Sequence, residues 1–373
     1  MESVCNAFCL RGGFFCYAVM PFYERKIIMK KAMALMLGLA CITASFASCG
    51  NSTSESKTEA TTAATTTEAS LEVITTEPTT EAETVAEEED EEENYNTGDA
   101  SLDNIRNQDD IGDNELLVLS FGTSFNDSRR LTIGAIEQSL EDAFPNYSVR
   151  RGFTANIIID HVERRDGIHI DDINEALDRA VKNGVKNLVV QPTHLMNGIE
   201  YDELSGKVAS YSDAFDKVVI GEPLLTSDDD FKRVENAIVD WTKEYDDGKT
   251  AICFMGHGTE HASNSVYAKM QDLLTADGHT NYFVGTVEAT PSVEDVLEKV
   301  KAGGYEKVVL EPLMVVAGDH ANNDMAGDDE DSWKSVFEAE GFEVQCILRG
   351  LGENEEIRKI YVEHAQKAID SIK

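Results

Sequence analysis

Residues 251–259 read Ala-Ile-Cys-Phe-Met-Gly-His-Gly-Thr, or AICFMGHGT in one-letter code. Five apolar residues in a row, cut off by glycine, are too few for a buried helix and fit a strand covered on both faces. Strands of that kind belong to parallel sheets with helices packed above and below. An earlier stretch, LLVLSFGTS at 116–124, has the same shape, an apolar run ending in a Gly-Thr-type loop. A second pair repeats the theme: NLVVQPTHLMNG (187–198) matches KVVLEPLMVVAG (307–318), with Pro192 and Pro312 at corresponding strand ends.

Outward from these runs the pattern continues in both directions. Glu115–Ser120, Tyr147–Phe153, Asn187–Gln191 and Lys217–Ile220 read as strands in the first half. Ala251–Met255, Tyr282–Val287, Lys307–Leu310 and Phe342–Ile347 read as strands in the second. Stretches of helical period lie between them, one running to about Phe144 and others at Phe231–Tyr245, Val293–Ala302 and Glu355–Ile372. Strands alternating with helices predict an α/β fold of two similar lobes, about 113–225 and 226–373, each a parallel sheet flanked by helices. The lobes face each other across a cleft, and ligands of such sheets bind outside the carboxyl ends of the strands.

The rest of the chain is different in kind. Residues 29–49, MKKAMALMLGLACITASFASC, have a basic start, a short apolar stretch and small residues just before Cys49. That is a secretory signal of the lipoprotein type, with Cys49 as the lipidated first residue of the mature chain. The apolar run is short for a membrane span, which needs about 20 residues. Residues 1–28 carry no signal logic of their own and remain an unexplained or mis-called extension ahead of Met29. Residues 50–112 are rich in Thr, Ala, Ser and Glu, a composition that buries no core and predicts a disordered acidic tether. The expected location is therefore extracytoplasmic, on a membrane through the lipid anchor.

The net charge of −38 is uneven, because 19 acidic residues between Gly50 and Asp113 face only Lys57 and Arg106. No basic stripe is visible anywhere, which excludes nucleic acid as a partner. Of seven cysteines only Cys253 and Cys346 fall in the globular region, each in an apolar run, and they read as core thiols. The oligomeric state is left open, a homo-oligomer included.

Three residues of metal-ligand type fall at strand ends of the second lobe. His257 follows Ala251–Met255, Glu288 follows Tyr282–Val287, and His320 follows Lys307–Leu310. Two imidazoles and a carboxylate with open positions suit a divalent transition ion such as Co2+, Fe2+ or Ni2+. His261 reads as an outer residue or a helix start, and Asp319 and Asp324 as orienting His320 or capping the next helix, with the cap favoured for Asp324. The first lobe offers Ser120, Thr123, Thr193, His194 and Tyr201 as ligand contacts, and Arg150 and Arg151 as partners for ligand carboxylates. His161, His169, His279 and His364 sit in helix or turn contexts and read as structural.

The runs SFGTS (120–124), QPTHLMNGIEYD (191–202), MGHGTEHASN (255–264), GTVEATPS (285–292) and PLMVVAGDHANNDMAGDDEDSWK (312–334) resemble the anaerobic sirohydrochlorin cobalt chelatases, class II tetrapyrrole chelatases. The likeness spans about Glu115 to the C-terminus in the same order and spacing. It implies two facing α/β lobes, metal held by His257, Glu288 and His320 beside a macrocycle, and insertion of Co2+ into sirohydrochlorin on the route to cobalamin. No organic cofactor is implied. Within this reading His257 is the candidate general base, since a neutral imidazole accepts protons near neutral pH. The export signal departs from that family's usual setting. Two alternatives therefore stand: a chelatase for iron or nickel, or an exported protein that captures haem, another tetrapyrrole or metal without turnover.

Overall fold

Each of the eight apolar runs is a strand, with ends within two residues of those expected. The computed structural model describes residues 96–373. The extension 1–28, the signal 29–49 with Cys49 and the tether up to residue 95 lie outside the described residues. The strands are β1 Asn114–Ser120, β2 Ser148–Phe153, β3 Asn187–Pro192, β4 Lys217–Ile220, β5 Thr250–Gly256, β6 Tyr282–Thr286, β7 Lys307–Pro312 and β8 Glu343–Cys346. They form two sheets of the same order, β2-β1-β3-β4 and β6-β5-β7-β8, with every pairing parallel. The interior strands β1 and β5 are buried along almost their whole length. The edge strands β4 and β8 are partly exposed. Leu119 pairs with Pro192 and Met255 with Pro312, so each proline closes the same final rung of its sheet.

Helices return the chain to the next strand, and their starts are written locally. Asp172 with Glu175, Ser227 with Asp230 and Ser292 with Asp295 form reciprocal caps at Ile173–Lys182, Asp228–Thr242 and Val293–Gly303. Each cap satisfies two backbone N–H groups that the first turn would leave unpaired. The helix expected to run to Phe144 is instead two, Asn126–Leu131 and Ile133–Ala143, broken at Thr132. Thr132 is fully buried, and its hydroxyl donates to the Ser128 carbonyl at 2.5 Å. Gly350 and Gly352 press on it so closely that a Cβ on either would come within 2.8 Å of it. That tertiary contact, invisible in local sequence, sets the break.

The largest apolar cluster joins the two lobes. It contains Leu116 and Val118 of β1, Ile252 and Phe254 of β5, and Ile357, Ile360 and Tyr361 of the last helix, Glu355–Ser371. This helix lies in the second lobe by sequence, yet it packs on β3, β4 and the helix Ile133–Ala143 of the first. The buried Tyr361 hydroxyl donates to the Thr193 carbonyl at 2.8 Å. His364, as expected, is structural, its Nε2 lying 3.1 Å from Asp230. Cys253 is a fully buried core thiol and Cys346 a half-buried one. No helix among the described residues is long and apolar enough to cross a membrane.

Two expectations are corrected here. Residues 96–112, assigned to the tether, include a 3-10 turn at Ala100–Leu102 and pack onto the first lobe. The Asp103 carboxylate, 3 % exposed, pairs with Arg129 at 2.7 Å and Arg151 at 2.6 Å. Burial alone would raise its pKa, but the two guanidiniums outweigh this and hold it below the usual carboxylate range. Composition averaged over an acidic tail hides one acid that has two buried partners. Arg150 and Arg151, offered as contacts for ligand carboxylates, are likewise fully buried. Arg150 pairs with Glu115 and Asp171, and Arg151 with Glu137 and Asp103. A guanidinium this deep needs such partners, since an unpaired buried charge is strongly destabilising.

Candidate metal centre

The residues at the ends of β5, β6 and β7 converge. His257 directly follows Gly256, the last residue of β5. The chain then turns at Gly258, whose φ of +90° suits glycine, and a Cβ there would come 2.7 Å from the Ala289 nitrogen. Two backbone bonds clip the next loop alongside, Val287 N–H to the Gly256 carbonyl and Glu288 N–H to the His257 carbonyl, at 3.0 and 2.8 Å. Glu288 is thereby fixed beside His257. His320 leads into a π-helical turn, Ala321–Met325, a geometry often found at functional positions.

His257, Glu288 and His320 each offer one ligand atom, and these atoms lie within 4.8 Å of one another. The two imidazole centroids are 4.6 Å apart at 81°. Nδ1 of His257 lies 3.8 Å from the Glu288 carboxylate. All three side chains remain accessible, at 43, 55 and 32 % exposure. A divalent ion could be held by them with positions to spare for a second ligand.

The outer contacts decide which nitrogen faces outward. Nδ1 of His257 is 2.8 Å from the Gly258 carbonyl, which only accepts, so Nδ1 carries the hydrogen and Nε2 keeps its lone pair. Nδ1 of His320 is 2.7 Å from the Asp324 carboxylate and is likewise assigned as the donor. This hydrogen bond holds the His320 ring above its ordinary pKa, against partial burial. Asp324 was expected to cap a helix; it orients His320 instead. Asp319 bonds Asn323.

Two supporting residues carry no signal that sequence reasoning could have weighted. Tyr267 is fully buried, and its hydroxyl accepts from the Gly258 N–H at 3.3 Å. Asn264 accepts from Thr259 N–H at 3.1 Å and donates to the Thr290 carbonyl at 2.8 Å, tying the His257 loop to the Glu288 loop. His261 caps the 3-10 turn Ala262–Asn264 through Nδ1, which agrees with a helix-start role.

The first-lobe candidates divide. Ser120 and Thr193 are buried and bond each other at 2.7 Å, so they brace the ends of β1 and β3 rather than line the cleft. Thr123 is buried where the lobes meet, and a Cβ on Gly318 would lie 2.8 Å from its hydroxyl. Tyr201 packs against the apolar cluster of its own lobe, and burial raises its phenol. His194 follows β3 with both ring nitrogens shielded from solvent. Another triad, His169, Asp171 and Glu175, also has metal-ligand types together. There Asp171 is already taken by Arg150 and Arg179, and Glu175 is a helix cap.

Two parallel sheets of one order, with a His–Glu–His set opening at the edge of the second, define a two-lobed α/β protein with a candidate cation site. The family model described as cobalt chelatase (CbiK) matches residues 114–370. The chain belongs to that family. It is similar to a protein of Salmonella typhimurium named sirohydrochlorin cobaltochelatase, at 37 % identity over 255 residues, covering 68 % of this chain and 96 % of that protein. A relative from Nitratidesulfovibrio vulgaris, named sirohydrochlorin cobaltochelatase CbiKC, is 30 % identical over 278 residues, covering 73 % and 97 %. Among solved structures, SirB from Bacillus subtilis with Fe3+ aligns over 70 % of this chain and 97 % of its own, at TM-score 0.48 and 14 % identity.

Proposed function

We propose that this protein is a sirohydrochlorin cobaltochelatase, a metal chelatase that inserts Co2+ into sirohydrochlorin. The observation that carries the reading is the convergence of His257, Glu288 and His320, ligand atoms within 4.8 Å, at the carboxyl edge of one sheet. It is supported by membership of the cobalt chelatase family over nearly the whole globular region.

The chemistry follows from the side chains. Nε2 of His257, Nε2 of His320 and the Glu288 carboxylate hold Co2+ as substrate, and the carboxylate offsets part of its charge. The macrocycle enters the cleft and its nitrogens replace these ligands one by one. Two pyrrole N–H bonds break as the metal–nitrogen bonds form. The lone pair on Nε2 of His257, released when the ion leaves it, takes one proton, and Glu288 passes the other to solvent. No organic cofactor enters the scheme.

The leader extends the reading to location. A lipoprotein-type signal ending at Cys49 supports a chain anchored outside the cytoplasm. If Cys49→Ala leaves processing and membrane partition unchanged, the anchor fails. The same export signal favours a second reading, capture of a tetrapyrrole or metal without turnover.

One experiment separates the two. The full chain is mixed anaerobically with sirohydrochlorin and Co2+, and the absorption change is followed beside His257→Ala and His320→Ala. Insertion above the spontaneous rate, lost in both variants, supports the chelatase. A bound ring that stays metal-free at the background rate would leave only capture.

A further inference from the structure

Residues 97–103 lie ahead of the region that matches the cobalt chelatase family model, yet they bind the loop that follows β1. Two routes run inward from them. Near the surface, the Asp127 N–H donates to the Thr97 carbonyl at 2.8 Å, and the Asn126 amide donates to the Gly98 carbonyl at 3.2 Å. Deeper in, the Asp103 carboxylate accepts from Nε of Arg129 at 2.7 Å. The same guanidinium donates to the Thr123 carbonyl at 3.1 Å, the Ser124 carbonyl at 3.5 Å and Oδ1 of Asn126 at 2.5 Å. Arg129 is fully buried, so the carboxylate that neutralises it also fixes where its rigid fork of donors points.

The loop held in this way is the one that meets the second lobe just ahead of His320. The Ser128 hydroxyl accepts from the Ala317 N–H at 2.9 Å. Buried Thr123 lies against Gly318, where a Cβ would come 2.8 Å from its hydroxyl. The Gly318 carbonyl in turn accepts from the Ala321 and Asn322 N–H groups at 3.1 and 3.2 Å, and from the Asn322 amide at 2.8 Å. Those bonds stand at the head of the π-helical turn that His320 leads into. The His257 and Glu288 loops are tied to each other inside the second lobe, by Asn264. The His320 loop also takes support across the lobe boundary, from a segment whose far side is Arg129 and Asp103.

We propose that Asp103 is a positioning residue for the metal site: through Arg129 it holds the Thr123–Ser124 loop against Gly318, and so sets His320 relative to His257 and Glu288. A donor set binds tightly when the residues behind it hold its geometry before the ion arrives. Residues 97–103 are thereby part of the support of the site rather than a spacer. The inference rests on the reading of His257, Glu288 and His320 as a metal site.

The test titrates the full chain with Co2+ alone, in wild type, Asp103→Asn, Arg129→Lys, Ser128→Ala and Asp171→Asn, each at a temperature where circular dichroism shows it folded. Amide hydrogen exchange of the metal-free proteins is followed over residues 313–325. Arg129→Lys keeps a cation beside Asp103 but loses the fork, and it carries the test if Asp103→Asn does not fold. Asp171→Asn is the control, because it breaks equally buried pairs with Arg150 and Arg179 on the opposite face of β2. Asp103→Asn, Arg129→Lys and Ser128→Ala should weaken Co2+ binding about three- to tenfold, less than the loss of a direct outer partner of a ligand. They should also speed exchange at residues 317–322, while Asp171→Asn changes neither reading by more than about twofold. Equal weakening in Asp171→Asn would mean general loosening of the lobe and overturns the proposal. So does wild-type affinity and exchange in Asp103→Asn and Arg129→Lys. If wild type itself binds no Co2+, the metal-site reading fails and the proposal with it, a result distinguished by needing no variant.

Discussion

In the first lobe β1 ends at Ser120 and hands over to Phe121; in the second β5 ends at Gly256 and hands over to His257. Two residues past β2 stands Ala155, and two past β6 stands Glu288. Eight past β3 is Glu200, and eight past β7 is His320. The sheets have one topology, but only the second carries a His–Glu–His set at these positions. The interiors differ too. β6 reads YFVGT, whereas β2 reads SVRRGF and puts two arginines into a buried ionic cluster. A doubly covered parallel sheet supplies edges where loops can meet; the donors are a separate choice made by those loops.

The sharpest break in this comparison is to remove the donors. His257→Ala or His320→Ala should lower cobalt insertion more than about a hundredfold, because losing even an outer partner of a ligand costs about 10–100-fold. Residual activity near wild type in either would move the chemistry out of the second lobe.

The first lobe should fail in a different way. Asp103→Ala leaves Arg129 and Arg151 short of a buried counter-charge. A loss of about 3–5 kcal/mol in folding stability is expected, read from urea denaturation. An unchanged midpoint would mean that residues 96–106 are dispensable after all.

Asp324→Asn tests the layer behind the donors. It should weaken Co2+ binding by about 10–100-fold while leaving folding stability nearly untouched, by calorimetric titration and thermal melts. Equal loss of both would make Asp324 structural.

Glu115 gives the ionic cluster a pH signature. Burial pushes its carboxyl up to about 7, against the attraction of Arg150, and its Oε2 finds no partner. The folded state then holds a proton that the unfolded state has lost, so stability falls as pH rises from about 4.5 to 7. Glu115→Gln should flatten that slope, gaining on the order of 1–3 kcal/mol at pH 8 and nothing below pH 4. A variant that is less stable than wild type at pH 8 would show that the Arg150 pair dominates.

The smallest effect expected is from Phe121→His, which copies one donor into the first lobe. Without a carboxylate at Ala155 it should leave the stoichiometry at one Co2+ per chain by titration. A second ion bound would show that one strand end suffices.

How much of this was legible depends on range. The strands were, because apolar runs such as AICFM announce burial on both faces within five residues. The His257, Glu288 and His320 set followed from asking what stands at the ends of those runs. The order of partners across the chain did not. Arg151 meets Asp103 across 48 positions and Thr132 meets Gly350 across far more, and nothing local to an arginine or a threonine tells of that. Ser120 and Thr193 were misjudged for the same reason, since only the pairing of β1 with β3 shows that their hydroxyls satisfy each other. Asp324 lies four residues after His320, close enough to be weighed, but a turn of π-helix rather than a capped α-helix decides its direction.

The last helix carries a consequence for the order in which the molecule is made. Leu116 and Val118 of β1 share their core with Ile357, Ile360 and Tyr361, residues synthesised some 240 positions later. Domains usually close in the order they leave the ribosome, amino-terminal part first. Here the face of the first sheet that carries Leu116 and Val118 is backed in part by Ile136 and Leu140 of its own lobe and is completed by the seventeen-residue helix Glu355–Ser371. A chain lacking Glu355–Ser371 would therefore leave the core shared by both sheets short of one wall, so that the two lobes lose it together.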